Sequence, residues 1–167
     1  MYQFRIPEHR QRLRLILIGS VRHEEDQRRV DQLRTLVDNL NITEEVEFKL
    51  NINFNELKNH LNKAMIGLHT MWNEHFGIGI VEMMAAGAIV LAHKSGGPKL
   101  DIVDEGQTGF LASDIDSYAT TMRQILEMKS DARQQIRERA RESVDRFSVK
   151  TFEEHFMEPF EKFLPTA

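Results

Sequence analysis

The segment that decides the fold is MIGLHTMWNEHFGIGIVEMMAAGAIVLAHKSGG, residues 65–97. It contains two short apolar runs, 65–69 and 88–92, which predict strands. Between them lie a loop and a helical pattern over 77–86 that ends at Gly87, a residue typical of helix C-termini. The turn Ser-Gly-Gly-Pro over 95–98 ends the second strand. A strand, a helix and a strand in this order predict a parallel βαβ unit.

The same alternation continues on both sides of this segment. Apolar patterns predict a buried strand over 13–18, further strands over 46–50 and 109–111, and helices over 24–40 and 54–61. Asn53 or Asn55 is expected to cap the second of these helices. After residue 114 only helical patterns follow, over 117–128, 131–146 and 149–164. The prediction is an α/β fold, a doubly wound parallel sheet with C-terminal helices, whose ligands bind beyond the carboxyl ends of the strands.

Composition excludes several classes of function. The 167 residues include no cysteine, which rules out disulfide frameworks, thiolate zinc sites and cysteine nucleophiles. With 22 basic against 26 acidic residues the formal charge is −4, which argues against a nucleic-acid partner. The longest strongly apolar stretch, 83–92, is about half the ~20 residues that a membrane span needs. We therefore expect a soluble chain with no membrane span and, from the polar residues 1–14, no secretory signal.

Two carboxylates flank the predicted start of the helix over 77–86. Glu74 lies in the loop and Glu82 in the helix, with seven residues between them. Gly77 and Gly79 lack a Cβ, so a ligand can approach the backbone amides there, and a helix N-terminus favours an anion. Ionised carboxylates accept several hydrogen bonds from sugar hydroxyls. The pattern is compatible with a diphosphate-linked sugar across the helix start, but two glutamates by themselves are more often a solvated loop residue and a surface helix position.

The residues around these glutamates resemble a known family. Glu74 and Glu82 with Phe76-Gly77, the string MMAAG over 83–87 and Gly96-Gly97 resemble the E-x7-E motif of the retaining GT-B glycosyltransferases of family 4. The longer strings HTMWNEHFGIG, 69–79, and SGGPKLDIV, 95–103, resemble the mannosyltransferase branch of that family in the dolichol pathway. This resemblance runs from about residue 13 to 164. It implies one donor-binding Rossmann-like domain over 1–167, helical from 113, without the N-terminal acceptor-side domain.

The resemblance also implies roles for individual residues. Glu74 matches the catalytic acid that contacts the transferred sugar, and Glu82 matches the acid that binds the nucleotide ribose. The expected donor-binding residues are Arg5, His75, Phe76, Gly77, Ile78, Glu82 and Lys99. A catalytic base is expected near the loop 50–54, and His9 stands where the family has a lysine. Basic side chains and the helix start stabilise the departing diphosphate, so no metal and no other cofactor are expected.

The implied activity is transfer of mannose with retention from GDP-mannose, as an α-1,2 linkage, to a dolichyl-diphosphate-linked oligosaccharide during synthesis of the N-glycan precursor. It implies the cytosolic face of the endoplasmic reticulum membrane, and a chain that is inactive without the acceptor-side domain. A non-catalytic nucleotide-sugar-binding remnant and a family 4 transferase that uses a UDP-sugar are the alternatives.

Two neighbouring side chains have two interpretations each. Trp72 either stacks on a sugar or anchors its loop in the protein. His93, at the end of a predicted strand, either contacts the ligand or makes a structural hydrogen bond.

Overall fold

The computed structural model describes residues 13–161, with side chains up to residue 158. Its compact units are Met1–Asn59 and His60–Ala167. The described segments of the first unit are β1 (Leu15–Gly19), α1 (Glu24–Asn39), a 3-10 turn (Thr43–Glu45), β2 (Val46–Leu50) and the start of α2 (Phe54–Lys63). The prediction of one domain over residues 1–167 stays a prediction.

In the first unit, β1 and β2 form a two-stranded parallel sheet in which Leu17 is opposite Phe48. The side chains of Leu15 and Ile18 keep 38% and 37% of their surface exposed, so the prediction of a buried strand over 13–18 is wrong. A sheet of two strands offers few neighbours to cover its faces. The predicted cap of α2 is confirmed for Asn53, whose side-chain oxygen accepts from the amide of Glu56 at 3.0 Å.

The second unit contains the elements around the decisive segment. They are β3 (Ile66–His69), α3 (Ile78–Ala86), β4 (Ile89–His93), a π-helical turn (Pro98–Ile102), β5 (Gly109–Ala112), α4 (Ile115–Glu127), α5 (Ser130–Ser143), a 3-10 turn (Val144–Phe147) and α6 (Val149–Glu161). The three strands are parallel in the order β3-β4-β5. Leu91 of β4 lies opposite Leu68 of β3 and Phe110 of β5. The predicted helices are confirmed within the described residues, most with ends shifted by a few residues; positions 162–164 of the last predicted helix lie outside the described residues.

Helices cover both faces of this sheet, because alternate residues of β4 enter different core clusters. Val90 packs with Met84 of α3 on one face. Leu91 packs with Ile125 of α4 on the other face. Ile89 to Ala92 are fully buried, which explains the unbroken apolar run in the sequence. The doubly wound parallel α/β fold is therefore confirmed.

Candidate functional site

The site lies at the carboxyl edge of the sheet in the second unit. The strands β3 and β4 are parallel neighbours, so their ends at His69 and His93 share one edge. The loop 70–77 leaves β3 there, and the turn 94–97 leaves β4. The loop and the turn therefore lie at the edge where a doubly wound sheet binds its ligands.

The backbones of the loop and the turn touch. The amide of Gly97 donates to the carbonyl of Glu74 at 2.8 Å. A methyl group on Gly96 would collide with that same carbonyl, and one on Gly97 would collide with the carbonyls of His75 and Phe76. The two glycines therefore permit a close approach that fixes the position of the Glu74 backbone.

A side-chain hydrogen bond joins the same two segments. The amide of Asn73 donates to the hydroxyl oxygen of Ser95 at 2.8 Å. The Ser95 hydroxyl also lies 2.8 Å from Nδ1 of His93. Since the hydroxyl oxygen accepts from Asn73, its hydrogen is available for His93. His93 thus makes a structural hydrogen bond that supports the loop, the second of its two predicted interpretations.

Helix α3 begins at this loop in a conformation that requires glycine. Gly77 is the N-cap with φ of 100°, in the left-handed region. Its carbonyl accepts from the amides of Ile80 and Val81, so the amides of Ile78 and Gly79 precede the first bonded turn. Cγ of Glu74 lies 3.4 Å from the position that a Cβ on Gly77 would occupy. The Glu74 side chain therefore lies against the start of α3.

The carboxylate of Glu74 is partly enclosed and has an imidazole as its neighbour. Oε2 lies 3.7 Å from Nε2 of His69, and both side chains keep less than a quarter of their surface exposed. The Tyr118 hydroxyl donates to the His69 carbonyl at 2.9 Å, which ties the end of β3 to α4. Burial raises the pKa of Tyr118, so its phenol remains a donor at neutral pH.

Glu82 lies one helical turn after Ile78. Residues four apart share one helix face, and both side chains are exposed. An added methyl on Gly79 would meet nothing within 4 Å, so the space beside the first turn is open. The first turn of α3 and the Glu82 carboxylate are therefore accessible to a ligand together.

An aromatic contact also supports the loop. The ring of Phe76 meets the ring of Phe147 edge to face, with centroids 5.4 Å apart. The guanidinium of Arg146 lies 4.7 Å above the Phe147 ring and donates to the carbonyls of Asp101 and Ile102 at 2.7 and 3.0 Å. The 3-10 turn after α5 thus links Phe76 with the π-helical turn.

The structure does not test the roles of the other predicted residues. His75 and Lys99 are both exposed, His75 in the loop and Lys99 in the π-helical turn. Arg5 and His9 lie outside the described residues. The loop 50–54 belongs to the first unit, where the Asn51 side chain accepts from the amide of Val21 at 2.8 Å. The roles given to all of these residues stay predictions.

Sequence reasoning missed three supporting roles at this edge. They belong to His69, Ser95 and Phe147, none of which is in the E-x7-E motif. The positions of His69 and Ser95 at the ends of two predicted neighbouring strands were a usable signal. Phe147 gave no such signal, because its contact with Phe76 is made by the 3-10 turn after α5, which is distant in sequence.

No helix between residues 13 and 161 is long and apolar enough to cross a bilayer. Within the same residues, no group of three or more His, Asp or Glu side chains is arranged to hold a metal ion.

Comparison with known sequences identifies relatives over most of the chain. The model of a family described as glycosyl transferases group 1 matches residues 4–143. The chain is similar to the mouse protein named GDP-Man:Man(3)GlcNAc(2)-PP-Dol alpha-1,2-mannosyltransferase, with 58% identity over 91% of this chain and 32% of the mouse protein. The human protein of the same name is 59% identical over 90% of this chain and 31% of the human protein. This chain thus spans about a third of the length of these relatives.

Comparison with a solved structure supports the fold. The chain resembles HepE from Anabaena in complex with UDP, with a TM-score of 0.78 and 24% identity over 90% of this chain and 41% of that chain. At this identity the likeness establishes the fold, and it agrees with the parallel α/β architecture of the second unit.

Proposed function

Since this chain belongs to the glycosyl transferases group 1 family, we propose that it is the donor-binding part of a retaining α-1,2-mannosyltransferase. The donor is GDP-mannose, and the acceptor is the Man3GlcNAc2 oligosaccharide carried on diphosphodolichol. The names of the mouse and human relatives support this choice of substrates. Because the chain spans about a third of those proteins, the acceptor-side part is supplied by sequence outside this chain.

One observation carries the proposal: Glu74 is fixed against the open first turn of α3. The amide of Gly97 holds the Glu74 backbone, and the Glu74 side chain lies next to Gly77. The amides of Ile78 and Gly79 and the helix dipole favour the diphosphate of the donor at this turn. The transferred mannose then lies beside Glu74.

The remaining roles extend this proposal. Glu82 accepts hydrogen bonds from the ribose hydroxyls of the nucleotide, on the exposed face that it shares with Ile78. His75 and Phe76 line the donor, and Lys99 and Arg5 supply positive charge to the diphosphate. As the glycosidic bond to the diphosphate breaks, negative charge grows on the leaving group. The amides at the start of α3 are already oriented toward that charge, so they stabilise it without reorganising.

We place the reaction at the cytosolic face of the endoplasmic reticulum membrane, where a dolichol-linked acceptor is held. No resident metal ion or organic cofactor is part of this proposal, because the helix start and basic side chains are assigned the charge stabilisation.

Calorimetric titration of the chain with GDP tests the proposal. We expect GDP to bind and to compete more strongly than UDP for the same site. Glu82→Ala is expected to weaken GDP binding by about 1–3 kcal/mol, because a charged hydrogen bond to the ribose is lost. Glu127→Ala, which removes an exposed carboxylate from α4, is the matched control and should leave the affinity unchanged. Absence of GDP binding would reject the proposal for this chain, and preference for UDP would reject the donor.

The role of Glu74 requires the chain joined to its acceptor-side part. Glu74→Ala in that longer protein is expected to lower kcat by a larger factor than it lowers GDP affinity, since Glu74 is assigned to the sugar and not to the nucleotide. Equal losses in both quantities would contradict that assignment.

A further inference from the structure

The Glu74 carboxylate lies at the end of a side chain, and a fixed backbone alone does not orient it. The amide of Gly97 bonds to the carbonyl of Glu74, which leaves the side chain free to rotate. Trp72 keeps 73% of its surface exposed, so its interpretation as a loop anchor is wrong, and its stacking on a sugar stays a prediction. The group that faces the carboxylate is the imidazole of His69, whose Nε2 lies 3.7 Å from Oε2 of Glu74.

His69 belongs to a strand and not to the loop. It is the last residue of β3, in register with the buried strand β4. Its carbonyl accepts from the Tyr118 hydroxyl at 2.9 Å, which ties it to α4. A Cβ on Gly67, two residues earlier, would meet the side chain of Met83, so this face of β3 is turned toward α3. The His69 ring is therefore held on the side of the sheet where Glu74 lies against the start of α3.

The surroundings of the His69 ring select its tautomer. Nδ1 is shielded from solvent and has no hydrogen-bond partner among the residues that the structure describes. A hydrogen on Nδ1 would be a buried donor without an acceptor, which is less favourable than an unpaired lone pair. That tautomer would also turn the lone pair of Nε2 toward a carboxylate oxygen, and two acceptors repel each other. The hydrogen therefore belongs on Nε2, where it faces Oε2 of Glu74.

We propose that His69 is a positioning residue that orients the Glu74 carboxylate toward the sugar of the donor. This inference rests on the proposed function, which assigns Glu74 to the transferred mannose. At 3.7 Å the contact is longer than a hydrogen bond, and a small rotation of the Glu74 side chain closes the difference. Contacts of this kind commonly tighten when the substrate binds. Oε2 then accepts from His69, and Oε1 accepts from a hydroxyl of the mannose.

The expected consequence is specific to the sugar. The side chains of His69 and Glu74 keep only 19% and 24% of their surface exposed, so water competes less for this contact than it does at the surface. A carboxylate that is already oriented need not be ordered when the donor binds. Loss of the imidazole N–H should therefore weaken the binding and transfer of mannose and leave the binding of GDP unchanged.

Two substitutions separate positioning from packing. In His69→Gln the side-chain amide nitrogen replaces the imidazole Nε2 as a donor, whereas His69→Leu fills a similar volume without a donor. Calorimetric titration of the chain with GDP and with GDP-mannose measures the two affinities. We expect His69→Leu to weaken GDP-mannose binding about fivefold and to retain GDP binding, while His69→Gln retains both. His155→Leu, which removes an exposed histidine from α6, is the matched control and should change neither affinity.

Three results of these titrations would overturn the proposal. They are an unchanged GDP-mannose affinity in His69→Leu, an equal loss in His69→Leu and His69→Gln, and a loss of GDP affinity in His69→Leu, which packing alone would explain. In the longer protein with its acceptor-side part, His69→Leu should lower kcat about tenfold, because a misoriented Glu74 no longer meets the reacting sugar correctly. His69→Gln should restore most of kcat, and failure to do so would contradict the role of the donor.

A measurement on the parent chain requires neither a folded variant nor GDP binding. Long-range proton–nitrogen NMR, at a pH above the ordinary titration range of histidine, shows which ring nitrogen of His69 carries the hydrogen. We expect Nε2, with a signal that moves in Glu74→Gln. Hydrogen on Nδ1 would overturn the proposal and leave the donor assignment intact wherever GDP binds. Hydrogen on Nε2 in a chain that does not bind GDP would support the contact between His69 and Glu74 and reject the proposed function.

Discussion

Helices α3 and α4 both follow a strand of the same parallel sheet, but their N-termini are built differently. Helix α4 starts with a capping box: the Asp114 carboxylate accepts from the amide of Ser117 at 2.8 Å, and the Ser117 hydroxyl accepts from the amide of Asp114 at 3.0 Å. Asp116 adds a carboxylate to its first turn. Helix α3 starts at Gly77, which has no side chain to cap it, and its first turn contains no acidic residue.

The difference shows which helix start is available to an anionic ligand. The capping box satisfies the amide of Ser117, and the carboxylates of Asp114 and Asp116 offset the positive end of the helix dipole. At α3 the corresponding amides and positive potential are not neutralised by the first turn itself. Glu74 lies against Gly77, and its backbone is held there by the turn that contains Gly96 and Gly97. A diphosphate can therefore supply what a capping side chain supplies at α4.

The largest expected effect comes from breaking the backbone contact that shapes the start of α3. Gly97→Ala places a methyl group against the carbonyls of His75 and Phe76, which belong to a loop that cannot retract without moving Glu74. We expect the free energy of unfolding to fall by about 3 kcal/mol or more and GDP binding to be lost. Chemical denaturation and calorimetry measure the two effects.

Gly19→Ala is the control for this substitution, because an added methyl there meets nothing within 4 Å. It should change neither the unfolding free energy nor GDP binding appreciably. A Gly97→Ala variant as stable as the parent would mean that the loop accommodates the methyl, and the account of a fixed Glu74 backbone would fail.

The next effect sharpens the comparison by adding the same charge to both helix starts. Ile78 and Ile115 are the first residues of α3 and α4, and they keep 60% and 86% of their surface exposed. Ile78→Glu is expected to weaken GDP binding at least tenfold, about 1.4 kcal/mol, because the carboxylate repels the diphosphate. Ile115→Glu changes the net charge equally and should leave GDP binding unchanged.

Both variants should retain the melting temperature of the parent, since a carboxylate near a helix N-terminus is favourable. Equal loss of GDP binding in the two variants would indicate an effect of net charge, and the assignment of the diphosphate to α3 would be wrong.

The order of helices and strands was predictable from the sequence, because it depends on local patterns. The apolar run over 88–92 predicts β4 through its burial on two faces, and Gly87 ends α3 as the glycine preference indicates. The exposure of β1 was not predictable, since it depends on how many neighbours a strand acquires and not on its composition. The support of Phe76 by Phe147 depends on a tertiary contact between segments 71 residues apart along the chain.

The roles of Gly96 and Gly97 illustrate the same limit. The sequence predicts a turn there, because glycine and proline interrupt strands. The sequence does not show that this turn fixes the backbone of the Glu74 loop, because that contact depends on β3 and β4 being neighbours in the sheet. The local sequence pattern therefore shows where Glu74 lies along the chain, and the strand order determines which residues fix its backbone.

A smaller effect tests the side-chain bond that supports the loop. Ser95→Ala removes the acceptor of the Asn73 amide and the partner of His93. We expect the free energy of unfolding to fall by about 0.5–1.5 kcal/mol and GDP binding to weaken severalfold. Ser95→Thr keeps the hydroxyl and should restore most of both quantities. If Ser95→Thr behaves like Ser95→Ala, the hydroxyl bond is not the cause of the loss.

The smallest expected effect concerns the capped N-terminus of α4 and depends on pH. The amide of Ser117, and then its hydroxyl, hold the pKa of Asp114 below the ordinary value of 3.8. A carboxyl whose folded pKa is depressed stabilises the fold above its unfolded pKa and loses that contribution as pH falls through the folded pKa. Asp114→Asn retains a capping side chain but does not titrate.

Melting temperatures of the parent and Asp114→Asn, measured from neutral pH to about pH 2, isolate this contribution. We expect the parent to melt a few degrees higher at neutral pH and the gap to close only below the ordinary pKa of aspartate. GDP binding at neutral pH should be the same in both proteins, because the diphosphate is assigned to α3. A loss of GDP affinity in Asp114→Asn would mean that the N-termini of α3 and α4 are coupled. The contrast between the uncapped α3 and the capped α4 would then no longer account for where the anion binds.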